Sequence, residues 1–427
     1  MNNIERKLLD YADQHKGELF SQLSRLVQFD CQNFITTGRE KDCAAYIKTL
    51  YSTLGLDAEM YSPDDIPGIA EHPGYLPGRG LSDRPNVSGV LYGEDTGPGV
   101  MIAAHIDTMP AGDRNNWTVD PFGGEIKDGR IYGLGAGDNK FGIAGGLFAL
   151  QVLKAAGIRL KKTVVLTSYV DEEYGGGDGA LAACLKYPCQ VYANLDGGNY
   201  EMWVASLGGS GYSIEVKTDF NTDTATPVTD ALFMIKAELE KLAETRRKEL
   251  HDNPLYIGTD MERSVYRLVE FTCGSFGSDL GRGSLKFVLY TTSKKECIEK
   301  ELSNILETLS PYFKEHSLSS SGFVPNTRFF DYHETKDSTG AVAAMKKAAE
   351  DAAGTAVKAS GACLSDLSIF LSYGSVESFN FGIMRDFSLR GGAHQPDEYV
   401  ECEQFLNHAK AMILFLVRYC GIANQAI

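Results

Sequence analysis

Long hydrophobic runs and clusters of basic residues are both missing from this sequence. No stretch approaches the roughly twenty apolar residues that a membrane-spanning helix needs. Basic residues are scattered, and acidic residues outnumber them so far that the net charge is -16. Such a chain offers no patch that would attract the phosphates of a nucleic acid or an anionic membrane surface. We therefore expect neither as a partner.

Paired cysteines are missing as well. The nine cysteines are scattered along the chain, and none of them stands in a CxxC pair. Residues 1–20 have the pattern of a charged amphipathic helix and lack the features of a secretory signal peptide. An odd, unpatterned set of cysteines without a signal is typical of reduced thiols. The sequence therefore predicts a cytoplasmic protein.

A phosphate-binding loop is the third absence. Residues 131–146 are rich in glycine, but they match neither GxxxxGK[ST] nor GxGxxG. They do contain one carboxylate, Asp138, among small residues that allow a tight bend and a close approach to the backbone. The apolar pattern that follows predicts a buried helix. Taken alone, Asp138 would be an ordinary cap or turn residue.

Polar residues follow directly after three apolar segments that have the pattern of buried strands in a parallel sheet. These segments are residues 99–104, 162–170 and 190–195. His105 and Asp107 follow the first, Glu172 and Glu173 the second, and Asp196 the third. Ligands bind at the carboxyl ends of the strands in open α/β sheets. These five side chains are therefore candidates for one site, although turn and capping residues would give the same local pattern.

The acidic run at 171–173 indicates a cation. Three consecutive acids repel one another unless a cation or hydrogen bonds offset the repulsion, the alternative being a solvated loop. Carboxylates and imidazole that converge at one sheet edge suit zinc or a similar divalent ion. A second imidazole is expected far along the chain. His394 is the candidate, because it lies in a glycine-rich polar loop between apolar segments.

The sequence pattern changes between residues 206 and 332. Alternating and amphipathic segments there follow the order β-α-β-β-α, which suits a small α+β lid inserted into a larger α/β domain. We therefore predict a main, metal-binding domain of residues 1–205 and 333–427 and a lid of residues 206–332. Residues 63–87, which are rich in proline, glycine and aspartate, predict a long surface loop.

Five motifs in a fixed order extend over most of the main domain. They are HxD at 105–107, DPF at 120–122 with the later run DGRIYGLGAGDNK, DEE at 171–173 before glycines, DGG at 196–198, and GAHQPDE at 392–398. In this order the sequence resembles the co-catalytic zinc peptidases and deacylases. That family includes acetylornithine deacetylase, succinyl-diaminopimelate desuccinylase, aminoacylase, glutamate carboxypeptidase and peptidase T. The resemblance implies a mostly parallel α/β sheet flanked by helices, with an inserted lid that also forms a dimer.

The resemblance also implies a role for each candidate residue. His105, Asp138 and Asp196 would hold one zinc ion, and Asp138, Glu173 and His394 would hold the other. Asp138 would bridge the two ions and be followed by a cis peptide bond, and Co²⁺ or Mn²⁺ could replace Zn²⁺. Asp107 would orient the ring of His105, and Glu172 would be the general base. No other cofactor is implied.

These residue types suit the hydrolysis of an amide. Two zinc ions that share a carboxylate lower the pKa of a bridging water and polarise the scissile carbonyl. Glu172 would take the proton from that water and return it to the leaving amine. The resemblance thus implies a dizinc amidohydrolase whose substrate is a small N-acyl amino acid or a short peptide. The choice between deacylase and peptidase stays open.

The predicted lid departs from the family pattern. Many members carry a histidine soon after the first lid strand, whereas this sequence has none between His105 and His251. The matching region is residues 217–223, and the family's lid asparagine and arginine are also missing. Loss of one oxyanion donor typically costs about 10²–10³ in rate. The alternative is therefore a metal-binding homologue with weak or no catalysis, unless a lid residue compensates; the candidates are His251, Arg263, Arg282 and Arg328.

Overall fold

The computed structural model describes residues 1–97, 99–218, 224–275 and 279–423. The chain forms two compact units. The first unit comprises Met1–Val204, Glu334–Ala359 and Ile369–Ile427, and the second comprises Ala205–His333 and Ser360–Ser368. Ser360–Ser368 therefore belongs to the second unit, whereas the sequence interpretation placed it in the main domain. The roles of main domain and lid stay predictions.

Helices and strands are interspersed along the described part of the chain. The helices are α1 (Asn3–Gln14), α2 (Lys16–Val27), α3 (Lys41–Leu54), α4 (Phe141–Ala155), α5 (Asp178–Lys186), α6 (Thr226–His251), α7 (Asp260–Arg263), α8 (Lys295–Glu315), α9 (Ala341–Ala353), α10 (Leu367–Ile369) and α11 (Cys402–Phe415). The strands are β1 (Asp57–Tyr61), β2 (Asn86–Leu91), β3 (Val100–His105), β4 (Ile126–Lys127), β5 (Arg130–Tyr132), β6 (Val164–Tyr169), β7 (Val191–Asn194), β8 (Glu201–Ser206), β9 (Gly208–Thr218), β10 (Tyr266–Ser275), β11 (Asp279–Thr291), β12 (Leu318–Ser320), β13 (Val324–Pro325), β14 (His333–Glu334), β15 (Ala359–Ala362), β16 (Phe379–Gly382) and β17 (Tyr399–Glu401).

The largest sheet has the strand order β1-β2-β6-β3-β7-β16-β8-β14, with β15 beside β8. The pairs β3–β6, β3–β7 and β7–β16 are parallel, whereas β1–β2, β2–β6 and β8–β16 are antiparallel. Every residue of β3, β6, β7 and β16 is buried, which explains why these strands show no regular alternation of apolar and charged residues. The structure confirms the predicted α/β class with a mostly parallel central sheet.

Helix α4 packs closely against this sheet and begins just after Asp138. All of its residues from Phe141 to Leu150 are buried. Gly142 permits the close packing, because a Cβ atom there would lie 2.9 Å from the Cβ atoms of Ala104 and Leu195. The helix therefore holds the turn that carries Asp138 against the carboxyl ends of β3 and β7.

The second unit is built on an antiparallel sheet. Its strand order is β10-β11-β9-β12, with β13 also paired to β9. Apolar side chains of β9 and β11 pack with α6 and α8 in one core, which includes Ile214, Leu232, Phe287 and Ile305. Apart from the short α7, the elements from β9 to α8 follow the β-α-β-β-α order that the sequence predicts.

The segment between β1 and β2 is more deeply buried than the predicted surface loop. Arg79 and Arg84 are 5% and 1% exposed, and Leu81 is fully buried. Arg84 donates hydrogen bonds to Glu40 Oε1 at 2.9 and 2.7 Å. Proline and glycine indicated an irregular backbone, but they carried no information on burial. Arginine can be buried here because carboxylates pair with it, and these lie far away in the sequence.

The sequence predicts neither a membrane-spanning helix nor disulfide bonds. Within the four described ranges, no helix combines the length and the apolar character needed to span a bilayer. The nine cysteines, all of which lie in those ranges, are free. A cytoplasmic location stays a prediction.

His408 of α11 is fully buried in the core behind the sheet. Its ring stacks on Phe381 and meets Phe141 edge to face, with both ring centroids 5.1 Å away. Its Nε2 donates a hydrogen bond to the carbonyl oxygen of Phe381 at 3.2 Å. Burial lowers the pKa of His408 to about 4, so the folded protein keeps this ring neutral.

We expect His408 to make the fold sensitive to acid. The unfolded chain binds a proton here near pH 6.5 and the folded chain only near pH 4, so stability falls as the pH drops between these values. Between pH 7 and pH 4.5, wild type should lose about 2–3 kcal/mol more unfolding free energy than His408→Gln. Denaturant unfolding at both pH values measures this. His15→Gln, outside the core, should behave as wild type; an unchanged pH dependence in His408→Gln would contradict the prediction.

Candidate metal centre

Three neighbouring strands bring the predicted polar residues to one edge of the sheet. β3 is parallel to β6 with His105 opposite Tyr169, and parallel to β7 with Ala103 opposite Asn194. The acidic run at 171–173 and Asp196 follow the last residues of β6 and β7. All three strands therefore end at the same level, so the residues after them meet.

Asp138 lies between two histidine rings. Its Oδ1 is 2.9 Å from Nε2 of His105, and its Oδ2 is 3.1 Å from Nε2 of His394. The two oxygens of one carboxylate thus face two imidazoles that lie far apart in the sequence. The peptide bond after Asp138 is cis, as the resemblance implies. Asp138 is the residue at which the two halves of the site meet.

Two more carboxylates complete two groups around Asp138. Glu173 Oε2 lies 3.0 Å from Nε2 of His394, and Asp196 Oδ1 lies 4.0 Å from Nε2 of His105. Within each group, His105–Asp138–Asp196 and Asp138–Glu173–His394, the donor atoms are no more than 4.8 Å apart. Tetrahedral zinc with bonds of about 2.1 Å keeps its ligand atoms about 3.4 Å apart. The spacing and the donor types fit a divalent ion in each group, and all of these residues except His394 are buried.

Burial opposes the charged forms of the carboxylates and imidazoles in this cluster. Burial and the charge of Asp138 raise the pKa of Asp196 to about 7. Burial opposes a charge on His105, but the hydrogen bond and charge of Asp138 and the charge of Glu172 outweigh it and hold the pKa of His105 well above its usual range. Three carboxylates face two imidazoles, so the protein alone does not balance the negative charge. A cation would relieve the repulsion.

Asp107 contacts the ring of His105 through its backbone and not through its side chain. His105 Nδ1 lies 2.9 Å from the backbone carbonyl oxygen of Asp107 and 3.8 Å from its carboxylate. The carboxylate accepts hydrogen bonds from Asn33 Nδ2 at 2.8 Å and from the amides of Glu172 and Glu173 at 3.3 and 3.1 Å. These three donors occupy it. Asp107 therefore fixes the ring through its backbone and the acidic loop through its side chain.

Asn33 and the position of Glu172 complete the surroundings of the cluster. Asn33 is fully buried, and nothing in its sequence context marked it as a neighbour of Asp107. Glu172 is partly exposed, unlike Glu173, and its charge contributes to the raised pKa of His105. Glu173 Oε1 also accepts a hydrogen bond from the amide of Met109 at 3.0 Å. Glu173 therefore faces inward and is tethered, whereas Glu172 beside it remains accessible to water.

Residues 101–418 match the model of the protein family described as peptidase family M20/M25/M40. The chain belongs to this family. The match confirms the family that the sequence motifs indicated.

Two relatives and one solved structure illustrate the range of this M20 family. The chain is 62% identical over 50 residues, 12% of its length, to succinyl-diaminopimelate desuccinylase of Rhodospirillum centenum. It is 28% identical over 186 residues, 43% of its length, to N-formyl-4-amino-5-aminomethyl-2-methylpyrimidine deformylase of Halalkalibacterium halodurans. These matches span 13% and 39% of the two relatives. Human carnosine dipeptidase 1 has the same fold, with a TM-score of 0.74, 16% identity and coverage of 98% and 99% of the two chains.

The predicted lid contains the residues considered as replacements for the missing family histidine. Residues 219–223, which belong to the stretch where many members carry the lid histidine, lie outside the described residues. Two of the four residues considered as replacements form ion pairs within the second unit. His251 Nδ1 is 2.8 Å from Glu262 Oε1, and Arg282 Nε is 3.5 Å from Asp279 Oδ2. Arg263 ends α7, and Arg328 lies over the ring of Phe330.

Glu398 and Asp397 follow His394 and support different parts of the site. Glu398 is 1% exposed, and its Oε1 accepts hydrogen bonds from the amides of Gly137 and Asp138 at 2.7 and 3.1 Å. Asp397 instead accepts hydrogen bonds from the amide and hydroxyl of Thr118. Burial, together with the charge of Asp138, raises the pKa of Glu398 to about 8. Glu398 therefore holds the backbone of Asp138 as a largely uncharged acceptor at neutral pH.

We expect Glu398→Gln to keep the stability of wild type at pH 7, because its amide oxygen can accept the same two hydrogen bonds. Glu398→Leu leaves the amides of Gly137 and Asp138 without an acceptor and should lower the unfolding free energy by roughly 1–3 kcal/mol for each. Denaturant unfolding measures both. The control is Glu401→Leu, which removes only the half-exposed ion pair to Arg130 and should cost less than about 1 kcal/mol. Equal losses in Glu398→Gln and Glu398→Leu would show that charge, not hydrogen bonding, matters.

Proposed function

We propose that this protein is a dizinc amidohydrolase that cleaves the amide bond of a small N-acyl amino acid or a short peptide. The observation that carries the proposal is Asp138, whose two carboxylate oxygens face His105 and His394 separately. One carboxylate shared between two groups of ligands is the arrangement expected for a pair of metal ions about 3.5–4 Å apart, as in two-metal hydrolases. Membership of the M20 family supports the same reaction class.

Zinc is the metal that the donor set favours. His105, Asp138 and Asp196 would hold one ion, and Asp138, Glu173 and His394 the other. Imidazole nitrogen with carboxylate oxygen suits Zn²⁺, and Co²⁺ and Mn²⁺ accept the same donors. When bound, such ions supply an activated water and polarise the scissile carbonyl. His105, Asp138, Glu173 and Asp196 are buried, whereas His394 is exposed, so one side of the proposed site is open to solvent.

Glu172 is the group that we propose moves the proton. Its neighbour Glu173 faces inward, with one oxygen tethered to the amide of Met109. Glu172 is more exposed, while its amide is fixed by Asp107, so its carboxylate can accept a proton at the mouth of the site. A carboxylate there takes a proton from the attacking water and donates it to the amine that leaves. The products are a free amine and a carboxylic acid.

The substrate class is proposed from the relatives. The relatives are named a desuccinylase and a deformylase, which remove an acyl group from an amine, and the structural neighbour is named a dipeptidase. All three names describe cleavage of an amide in a small molecule. The second candidate, a metal-binding homologue with little or no turnover, is favoured by one observation, the absence of any histidine between His105 and His251.

We expect Glu172→Gln to lower kcat by about 10²–10⁴, because the amide cannot accept the proton, while the bound metal stays at two ions per chain. Metal content by mass spectrometry and turnover of N-acyl amino acids and dipeptides with Zn²⁺, Co²⁺ or Mn²⁺ measure the two effects. Glu94→Gln, an exposed position, should resemble wild type. Two ions without turnover of any substrate would favour the binding homologue. Protein that takes up no metal would overturn both functions.

We also propose that the chain forms a homodimer through its second unit. Strand β10 is an edge strand of the sheet in that unit, and Val269 on it is 65% exposed. Phe233 of α6 is 56% exposed and lies beside Phe271 of β10, with ring centroids 5.3 Å apart. Exposed apolar side chains along an unpaired strand edge favour pairing with another chain.

Val269→Lys should convert the dimer to a monomer, because it places a charge on the apolar edge. Val324→Lys is the matched control, since Val324 is an exposed valine of the same unit that lies on β13 instead of β10. Sedimentation equilibrium over the micromolar range measures both. A wild-type protein that is monomeric throughout, or a dimer that survives Val269→Lys, would contradict the proposed interface.

A further inference from the structure

Arg79 is a buried cation that reaches the acidic loop at the metal centre. Only 5% of this residue is exposed. Its Nε donates a hydrogen bond to Asp171 Oδ1 at 2.9 Å, and its Nη2 donates one to the backbone carbonyl oxygen of Glu173 at 3.0 Å. The guanidinium thus spans the peptide units that carry Glu172 and Glu173.

The loop that Arg79 contacts has an unfavourable backbone. Asp171 and Tyr174 have φ values of 67° and 61°, in the left-handed region that side chains with a Cβ rarely adopt. Each such residue costs roughly 1–2 kcal/mol. A loop with this backbone does not hold its shape by local preference, and contacts from outside must define it. The positions of Glu172 and Glu173 therefore depend on those contacts.

Two side chains hold the loop, one by accepting hydrogen bonds from its amides and the other by donating to one of its carbonyl oxygens. The carboxylate of Asp107 accepts hydrogen bonds from the amides of Glu172 and Glu173. Arg79 donates to the carbonyl oxygen of Glu173 and to the side chain of Asp171. We propose that Arg79 is a positioning residue, which sets the direction of both Glu172 and Glu173 by fixing the loop between them.

The contacts of Arg79 favour a supporting role in the loop over binding of substrate. Its Nη2 also lies 2.8 Å from Asp171 Oδ1, so Nε and Nη2 together are occupied by that carboxylate and the Glu173 carbonyl. Its charge is balanced within the protein, because Arg79 and Arg84 face Asp171 and Glu40. The near-complete burial of Arg79 leaves its guanidinium away from solvent. It acts through the loop and touches no reacting group.

This inference rests on the proposed function, because it concerns one of the two metal sites more than the other. Glu173 belongs to the group with His394, whereas His105 and Asp196 lie at the ends of β3 and β7. In the part of the chain that the structure describes, Arg79 makes its hydrogen bonds to Asp171 and Glu173 and none to His105 or Asp196. Loss of Arg79 should therefore weaken metal binding by Asp138–Glu173–His394 and leave His105–Asp138–Asp196 nearly unchanged. General destabilisation would weaken both alike. The ratio of the two affinities separates these cases.

The test compares Arg79→Met and Arg79→Lys with Arg84→Met in the full chain. Arg84 is equally buried, but its hydrogen bonds go to Glu40 and to the carbonyls of Ile35 and Arg79, with Asp171 at 3.5 Å. Metal-free protein, purified as the folded species, is titrated with Co²⁺ and followed by its visible absorption. Catalysis is then measured at saturating metal. Arg79→Lys keeps the charge and removes the guanidinium fork, which guards against a failure of Arg79→Met to fold.

We expect Arg79→Met to weaken one Co²⁺ site by about 10–100-fold and to leave the other within about threefold, as for other residues that orient ligands. Its kcat should fall more than its KM rises, because Glu172 is displaced, and Arg79→Lys should be intermediate. Arg84→Met should keep the wild-type ratio of affinities. An unchanged ratio in both Arg79 variants would overturn the inference, and so would failure of both to fold while Arg84→Met folds. Wild-type protein that binds fewer than two Co²⁺ ions would instead refute the proposed function.

Discussion

Buried negative charge at the ends of three parallel strands is the constraint on which this molecule is organised. Asp138, Glu173 and Asp196 are each no more than 6% exposed, and two imidazole rings are the only cationic groups in the two ligand sets. Carboxylates at this spacing cannot all be ionised without a compensating charge, and the raised pKa of Asp196 expresses that conflict. The parallel sheet brings the residues together, because β3, β6 and β7 end side by side and the residues that follow them therefore lie at the same edge of the sheet. A metal pair is the compensation that these donor types suit.

The residues of the site are held in place by different kinds of structure. Histidine and aspartate at the ends of β3 and β7 are positioned by strands that are buried throughout. Glu172 and Glu173 lie on an irregular loop, which is held by hydrogen bonds to Asp107 and Arg79 instead of by regular structure. The turn around Asp138 is intermediate, since Glu398 holds its amides and α4 packs directly behind it. The side chains of the site are thus positioned by strands, by hydrogen bonds to a loop, or by a turn packed against a helix.

The sequence predicted the parts of the site that depend on strand order and missed the parts that depend on burial. An apolar run that ends at His105 is enough to predict a strand and the level at which it stops. Arg79 and Asn33 could not be predicted in this way, because each acts on residues far along the chain, and no local pattern records that. For Asp107, the resemblance implied that the residue orients the ring of His105 but not that its backbone carbonyl makes the contact. The stretch Ser360–Ser368 belongs to the second unit, which the spacing of apolar residues along the sequence does not indicate.

The order of the ligands along the chain has a consequence for biosynthesis. The first group, His105, Asp138 and Asp196, is complete when less than half of the 427 residues have been made. The second group needs His394, which comes close to the end. The three residues of the first group are therefore present in the nascent chain during more than half of its synthesis, and they are there before His394 is added. All residues of the first group are thus available to the folding chain before the second group can be completed.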